Sequence, residues 1–142
     1  MGSPSAMERE DLPPIATSSL QLASDQAAPG KAREWVGWLA DHLSPERFDA
    51  ALIMVSELVS NAVLHSGLLP GEPIHVSARA DHQRVRVIVC DCGDGFAPDW
   101  PPSPPDPAVL GGRGLWLVHQ LADHVLVDGA RGRVAFELSR GA

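Results

Sequence analysis

Glu57, Asn61 and His65 recur at intervals of four within the stretch Ser56-Glu57-Leu58-Val59-Ser60-Asn61-Ala62-Val63-Leu64-His65. On a helix this spacing stacks an acid, an amide and an imidazole along one face. Val55, Leu58, Val59 and Ala62 form an apolar stripe beside them, so the polar row lies at the margin of a core. Such a row can hold a divalent cation and orient a water or a hydroxyl. It is equally the solvated face of an ordinary amphipathic helix, and the helix alone does not decide between the two.

Two further stretches bear on the choice. Asp91-Cys92-Gly93-Asp94-Gly95 reads D-x-G-x-G and follows Val85, Val87 and Val89 in strand alternation. That alternation puts Asp91 on the valine face, where an unpaired carboxylate is costly and needs a partner. Gly93 and Gly95 permit positive φ and the close approach of another molecule, which suits a flat nitrogenous ring donating to Asp91. Capping a turn over Gly93 is the other use of such an Asp. The second stretch, Gly111-Gly112-Arg113-Gly114, opens a helix with Leu115, Val118, Leu121 and Ala122 at apolar spacing. Free N–H groups and the positive dipole end of a helix suit phosphate there, although a glycine-rich helix start needs no ligand.

In this fixed order the three signals describe a nucleotide site, with the base on Asp91, a metal at Asn61 and phosphates at Gly112 to Gly114. The common phosphate motifs are missing. Gly30-Lys31 is followed by Ala32 and lacks the upstream glycine of a Walker loop, and no strand runs directly into Gly111 as a dinucleotide fingerprint requires.

The elements that must position these residues are legible in outline. Residues 1 to 14 are polar and proline-containing, expected as a flexible tail whose first six residues resemble a leftover tag. Residues 15 to 142 are expected as one domain. Ile15 to Ala23 reads as an edge strand and Lys31 to Leu43 as an amphipathic helix carrying Trp35, Val36 and Leu39. Ser44 is placed as N-cap and Pro45 as first residue of the long helix holding Glu57 and Asn61, which Ser66-Gly67 ends. A hairpin follows, Ile74 to Ala78 and Val85 to Val89, turning at Asp81-His82-Gln83. Six prolines between Pro98 and Pro107 exclude helix or central strand and suit a linker or a lid. Two closing strands, His124 to Val127 and Arg133 to Leu138, are joined by Gly129 to Gly132. The order β-α-α-β-β-lid-α-β-β predicts a mixed sheet with helices on one side.

Composition bounds the function. The chain has 142 residues, 44% apolar and 20% charged, as a soluble globular domain does. Its formal charge of −7 argues against nucleic acid as the main partner. No apolar run reaches the roughly 20 residues that span a bilayer, and the small, then acidic, opening is not a signal peptide. Cys90 and Cys92 sit too close for a good disulfide and lack further ligands for zinc, so they read as reduced thiols of a cytoplasmic protein.

The three stretches, in this order, resemble the boxes of the GHKL ATPase superfamily, and within it the histidine-kinase-like domains of bacterial anti-sigma-factor serine kinases. Glu57 to His65 resembles the N box, Asp91 to Phe96 the G1 box and Gly111 to Val118 the G2 box, and the likeness runs over roughly residues 15 to 139. It implies an α+β fold, a single-domain two-layer α/β sandwich of the Bergerat type, with a mixed or antiparallel sheet and helices on one face. By the same resemblance Glu57 is the catalytic base, Asn61 the Mg²⁺ ligand and Asp91 the acceptor from the adenine amine. The ATP-binding set is Asn61, Asp91, Gly93, Gly95, Gly112, Arg113, Gly114 and Leu115, with the proline-rich stretch as the ATP lid. The implied activity is that of a protein serine kinase that sequesters a sigma factor and phosphorylates an anti-sigma-factor antagonist. A homodimer is implied too, for which Trp35 or Trp38 is an interface candidate as well as a core one.

The chain departs from the pattern in one place. Many members carry a threonine in the last strands near the adenine, whereas Thr17 is the only threonine here. That departure favours the alternative, a non-catalytic partner-binding module of the same fold, nucleotide-gated or degenerate. No phospho-accepting histidine motif stands at the front, which disfavours a sensor histidine kinase.

Overall fold

The structure, a computed structural model, describes residues 14–65, 71–91, 102–104 and 114–141, the side chain of His65 excepted. Five strands form one sheet: β1 (Ala16–Ala23), β2 (Pro73–Ala80), β3 (Arg84–Cys90), β4 (His124–Asp128) and β5 (Arg133–Ser139). Among the described residues three α-helices accompany them: α1 (Ala28–Trp35), α2 (Pro45–His65) and α3 (Gly114–Leu121). The strand order is β1-β2-β3-β5-β4 and every pairing is antiparallel, so the sheet is antiparallel and not mixed. β1 lies at the edge, as its sparse apolar pattern requires.

Alternation decides which way each strand faces. Ile74, Val76, Ala78 and Ala80 of β2, Val85, Val87 and Val89 of β3, and Val134, Phe136 and Leu138 of β5 are all buried. They share one core with Ala28 and Ala32 of α1, with Ala51, Met54, Val55, Leu58, Val59 and Ala62 of α2, and with Val118 of α3. Helices therefore cover one face of the sheet, giving the two-layer α+β sandwich. The opposite face carries Ser77, Ile88, Ala135 and Leu126 in one cross-strand row. Beside that row Arg84 donates to Glu137 at 2.8 Å, with both side chains mostly covered.

The long helix starts at Pro45 as its sequence demands, since proline at the first position loses no needed N–H and has helical φ already. The preceding helix differs from expectation. α1 begins at Ala28, three residues before Lys31, with Pro29 in its first turn. It stops at Trp35, and residues Val36–Asp41 continue as a tighter 3₁₀ turn. Gly37 is a poor α-helical residue, and the tighter winding buries both Val36 and Leu39, which share a face at i and i+3. Trp35 and Trp38 pack against the core. Trp35 Nε1 donates to Ser18 Oγ on β1 at 3.0 Å, and Trp38 meets the His42 ring edge-on at 5.6 Å.

Two polar knots tie the ends of elements together. Asp81 is buried and its Oδ1 accepts from the backbone N–H groups of Gln83 at 2.7 Å and Arg84 at 2.9 Å, which makes the β2–β3 turn. Arg140, just past β5, donates from Nε to the His42 carbonyl at 3.0 Å and from Nη1 to the Asp81 carbonyl at 3.3 Å. The other knot is Asp123, whose Oδ2 accepts from Ser139 N at 2.7 Å and from Arg47 Nη1 at 3.0 Å.

Burial pushes the Asp123 carboxyl up, but the Ser139 N–H, the Arg47 guanidinium and the Ser139 hydroxyl together outweigh it and hold the group below its ordinary 3.8. A depressed folded-state value stabilises the fold above the unfolded value and loses that contribution as pH falls below it. Asp123→Asn is therefore expected to be less stable than wild type at neutral pH, with the gap closing below about pH 3.8, as urea midpoints along a pH series will show. A constant gap across that range would mean that Asp123 acts through shape alone.

Candidate functional site

The helix α2 places Glu57 and Asn61 one turn apart on the flank of its buried stripe, and both are half-buried. What meets them is the start of α3. A β-carbon added at Gly114 would stand 2.8 Å from Asn61 Nδ2, 3.2 Å from Asn61 Oδ1 and 3.2 Å from Glu57 Oε2. The first residue of α3 thus rests directly on the acid–amide pair, although 53 positions separate Asn61 from Gly114 (114 − 61). Gly114 does not sit in the left-handed region, so glycine is required there by space and not by conformation.

The position of α3 is fixed by its own packing. Gly114 and Val118, four apart, are buried, and Leu115 and Leu121 pack partly covered against the same core. That anchoring sets the N-terminal end of α3, the positive end of its dipole, beside Asn61 and Glu57. A helix start of this kind favours an anion, and phosphate oxygens fit it. An amide oxygen beside a carboxylate is a donor set for a hard cation such as Mg²⁺, which keeps waters and shares substrate phosphates instead of demanding a full protein cage. No group of three or more His, Cys, Asp or Glu suited to a metal occurs among the described residues.

Asp91 follows β3 immediately and is half-buried. It continues the inward alternation after Val89, whose side chain belongs to the core shared with Leu58, Val59 and Ala62 of α2. Its N–H donates to the Gly132 carbonyl at 3.0 Å, which ties the start of the D-x-G-x-G loop to the β4–β5 turn. Gly132 itself is left-handed, with φ 62°, after a single 3₁₀ turn that Asp128 caps. Glu57, Asn61, Gly114 and Leu115 are thus brought to one junction between α2 and α3, and Asp91 stands at the end of the central strand β3. Gly93, Gly95, Gly112 and Arg113 lie outside the described residues, as do the His65 side chain and the proline-rich stretch apart from residues 102–104.

Two features beside the site have no counterpart in the sequence reading. Arg33 of α1 reaches α2 and donates from Nη1 to Ser56 Oγ at 2.8 Å, next to Glu57. The signal for it is weak, since one arginine on a polar helix face has many uses. Ile53 and Leu64 of α2 are 45% and 72% exposed. Helical spacing does signal that: both fall opposite the stripe of Val55, Leu58, Val59 and Ala62.

No helix among the described residues is long and apolar enough to cross a membrane. A comparison with curated protein sequences finds no match. Among solved structures, the RsbU and RsbW domains of Rv1364c from Mycobacterium tuberculosis superpose with a TM-score of 0.64 at 20% identity. That likeness covers 90% of this chain but 33% of the other, so this chain spans about a third of that protein's length. At such identity the match establishes the shared fold. Residues 22–137 match the family model described as the histidine kinase-like ATPase domain. With a match over most of its length, and with Glu57, Asn61 and Gly114 assembled at one junction, the chain belongs to the histidine kinase-like ATPase family.

Proposed function

We propose that this protein is an ATP- and Mg²⁺-dependent protein serine kinase that binds a sigma factor and phosphorylates an anti-sigma-factor antagonist. The observation that carries the reading is the seating of Gly114 on Glu57 and Asn61, a general base and a cation ligand beside a phosphate-binding helix start. The fold likeness to a structure that includes an RsbW domain supports the regulatory setting.

Each residue has a role. Asn61 would hold the cation, which would offset the triphosphate charge, and Asp91 would accept from the amine of the base. The N–H groups that open α3, with Gly112 and Arg113 before it, receive phosphate oxygens, and Gly93 and Gly95 give the base room. Bound nucleotide supplies the terminal phosphoryl group, whose bond to the bridging oxygen breaks as the serine oxygen bonds to phosphorus. Glu57 takes the proton of that serine hydroxyl. Phosphoryl transfer needs positioning and charge compensation more than covalent help, which is what this set provides. The protein acts in the cytoplasm as a homodimer, with the antagonist and the sigma factor as its partners.

Titration calorimetry with ATP and Mg²⁺, followed by transfer of labelled phosphate to serine-containing proteins encoded beside this one, tests the proposal. Binding with transfer supports it, and binding without transfer to any of them overturns the kinase. The absence of threonine from residues 124–139 favours one other reading, a partner-binding module without catalysis, and binding without transfer is what that module would show. Asp91→Asn is expected to weaken ATP binding by about 1–3 kcal/mol, because a charged acceptor becomes a carbonyl and a misplaced donor. Equal affinities by calorimetry would remove Asp91 from the base site.

A further inference from the structure

Helix α2 is held from two sides. Arg33 of α1 fastens it at Ser56, and Gly114 of α3 rests on Glu57 and Asn61. At 100° per residue Ser56 and Asn61 bound an arc of the helix opposite its buried stripe, which Gly114 of α3 meets at Glu57. Asp49, Ile53, Glu57, Ser60 and Leu64 occupy that arc in order along the axis. Asp49, Ile53 and Leu64 are exposed, and Glu57 and Ser60 are half-buried.

The composition of this strip is unusual for a solvated helix face. Four large hydrophobic residues are exposed among the described residues, and two of them are Ile53 at 45% and Leu64 at 72%. They stand on either side of the candidate base, Ile53 about 6 Å before Glu57 and Leu64 about 10 Å after it along the axis. Glu46 and Asp49, both exposed, make the end beyond Ile53 acidic. A serine brought to Glu57 by a folded protein necessarily lays the surface around that serine over Ile53 and Leu64.

On these grounds, and resting on the kinase reading above, we infer that the strip Asp49–Ile53–Glu57–Ser60–Leu64 is the docking surface for the serine-bearing protein substrate. Its occupant presents a serine flanked by apolar side chains on both sides, with a lysine or arginine beyond the side that meets Ile53. Charge complementarity to Glu46 and Asp49 selects that basic group, and burial of Ile53 and Leu64 contributes most of the affinity. A second copy of this chain does not fit. Antiparallel pairing of two such strips would press each Asp49 carboxylate against the other copy's Leu64, and an unpaired buried carboxylate is costly. An anionic lipid surface is repelled by the same acidic end.

The test uses the antagonist protein to which the wild type transfers phosphate. Ile53→Ser and Leu64→Ser together are expected to raise both its KM and its calorimetric Kd, measured with a non-hydrolysable ATP analogue and Mg²⁺, by about tenfold or more. kcat at saturating antagonist and the affinity for ADP stay within about twofold of wild type, because neither residue meets the nucleotide. Asp49→Lys is expected to raise the same Kd at low salt, with the effect shrinking at high salt. An unchanged Kd and KM in the double variant, with wild type active, overturns the docking strip and leaves the kinase standing. A parallel loss of ADP affinity also overturns it, since the residues would then serve the nucleotide. No transfer by wild type to any antagonist removes the kinase reading and this inference with it.

Discussion

Glu57→Ala is expected to bind ATP and Mg²⁺ within a few-fold of wild type while losing most phosphoryl transfer to a serine-bearing protein. Glu57 Oε2 lies where a β-carbon on Gly114 would reach it at 3.2 Å, so the carboxylate stands beside the helix start to which the proposal assigns phosphate. A positioned general base adds about 10²–10⁴-fold to a rate, and that is the loss expected in kcat. Binding is spared because the cation is assigned to Asn61 and the base to Asp91. Glu57→Gln keeps the shape and the half-buried packing yet cannot take a proton, so it should fall with the alanine variant. Single-turnover transfer with labelled ATP separates the two steps. Wild-type rates in both variants would show that Glu57 is not the base.

The acid–amide row on α2 was legible because a helix turns polar spacing into position. Ser44 and Pro45 mark its start, four-residue intervals stack Glu57 on Asn61, and the apolar stripe fixes which way the row faces. The β2–β3 hairpin was legible for the matching reason in strands, since the alternation of Val85, Val87 and Val89 predicts their common face and extends it to Asp91. Strand order was not. β5 enters between β3 and β4, pairing Val89 with Val134, a contact 45 positions apart (134 − 89) that no local pattern encodes. The helix written as Lys31 to Leu43 failed at both ends: Pro29 is tolerated in a first turn, and Gly37 with buried Leu39 favours the tighter 3₁₀ path. At the site, the sequence placed Gly114 at a phosphate turn for the free N–H groups of a helix start. Its role as a spacer against Asn61 appears only once Val118 has docked α3 onto α2. Ile53 and Leu64 lie outside the apolar stripe of Val55, Leu58, Val59 and Ala62, and sequence alone assigned them no role of their own.

That spacer role has a consequence of comparable size. Gly114→Ala places a methyl group 2.8 Å from Asn61 Nδ2 and 3.2 Å from both Asn61 Oδ1 and Glu57 Oε2. Helix α3 cannot retreat, because Val118 one turn on is fully buried. The atoms that yield are therefore the ends of the Asn61 and Glu57 side chains, which rotate at little cost to the fold. Stability should change modestly, and alanine even raises helix propensity relative to glycine by about 0.5–1 kcal/mol. Function should suffer much more, since a misplacement of about 1 Å at reacting groups costs on the order of 10²-fold. The expected result is a melting temperature close to wild type, with transfer reduced by about that factor and Mg²⁺-dependent ATP affinity lowered. Asn61→Ala should lose both affinity and transfer on its own, because the triphosphate charge is then uncompensated. In the Asn61→Ala background the added methyl group meets no amide, so Gly114→Ala should cost little more, a coupling that a double-mutant cycle on ATP affinity measures directly. Additive losses would mean that Gly114 and Asn61 act separately and that glycine serves the phosphates alone.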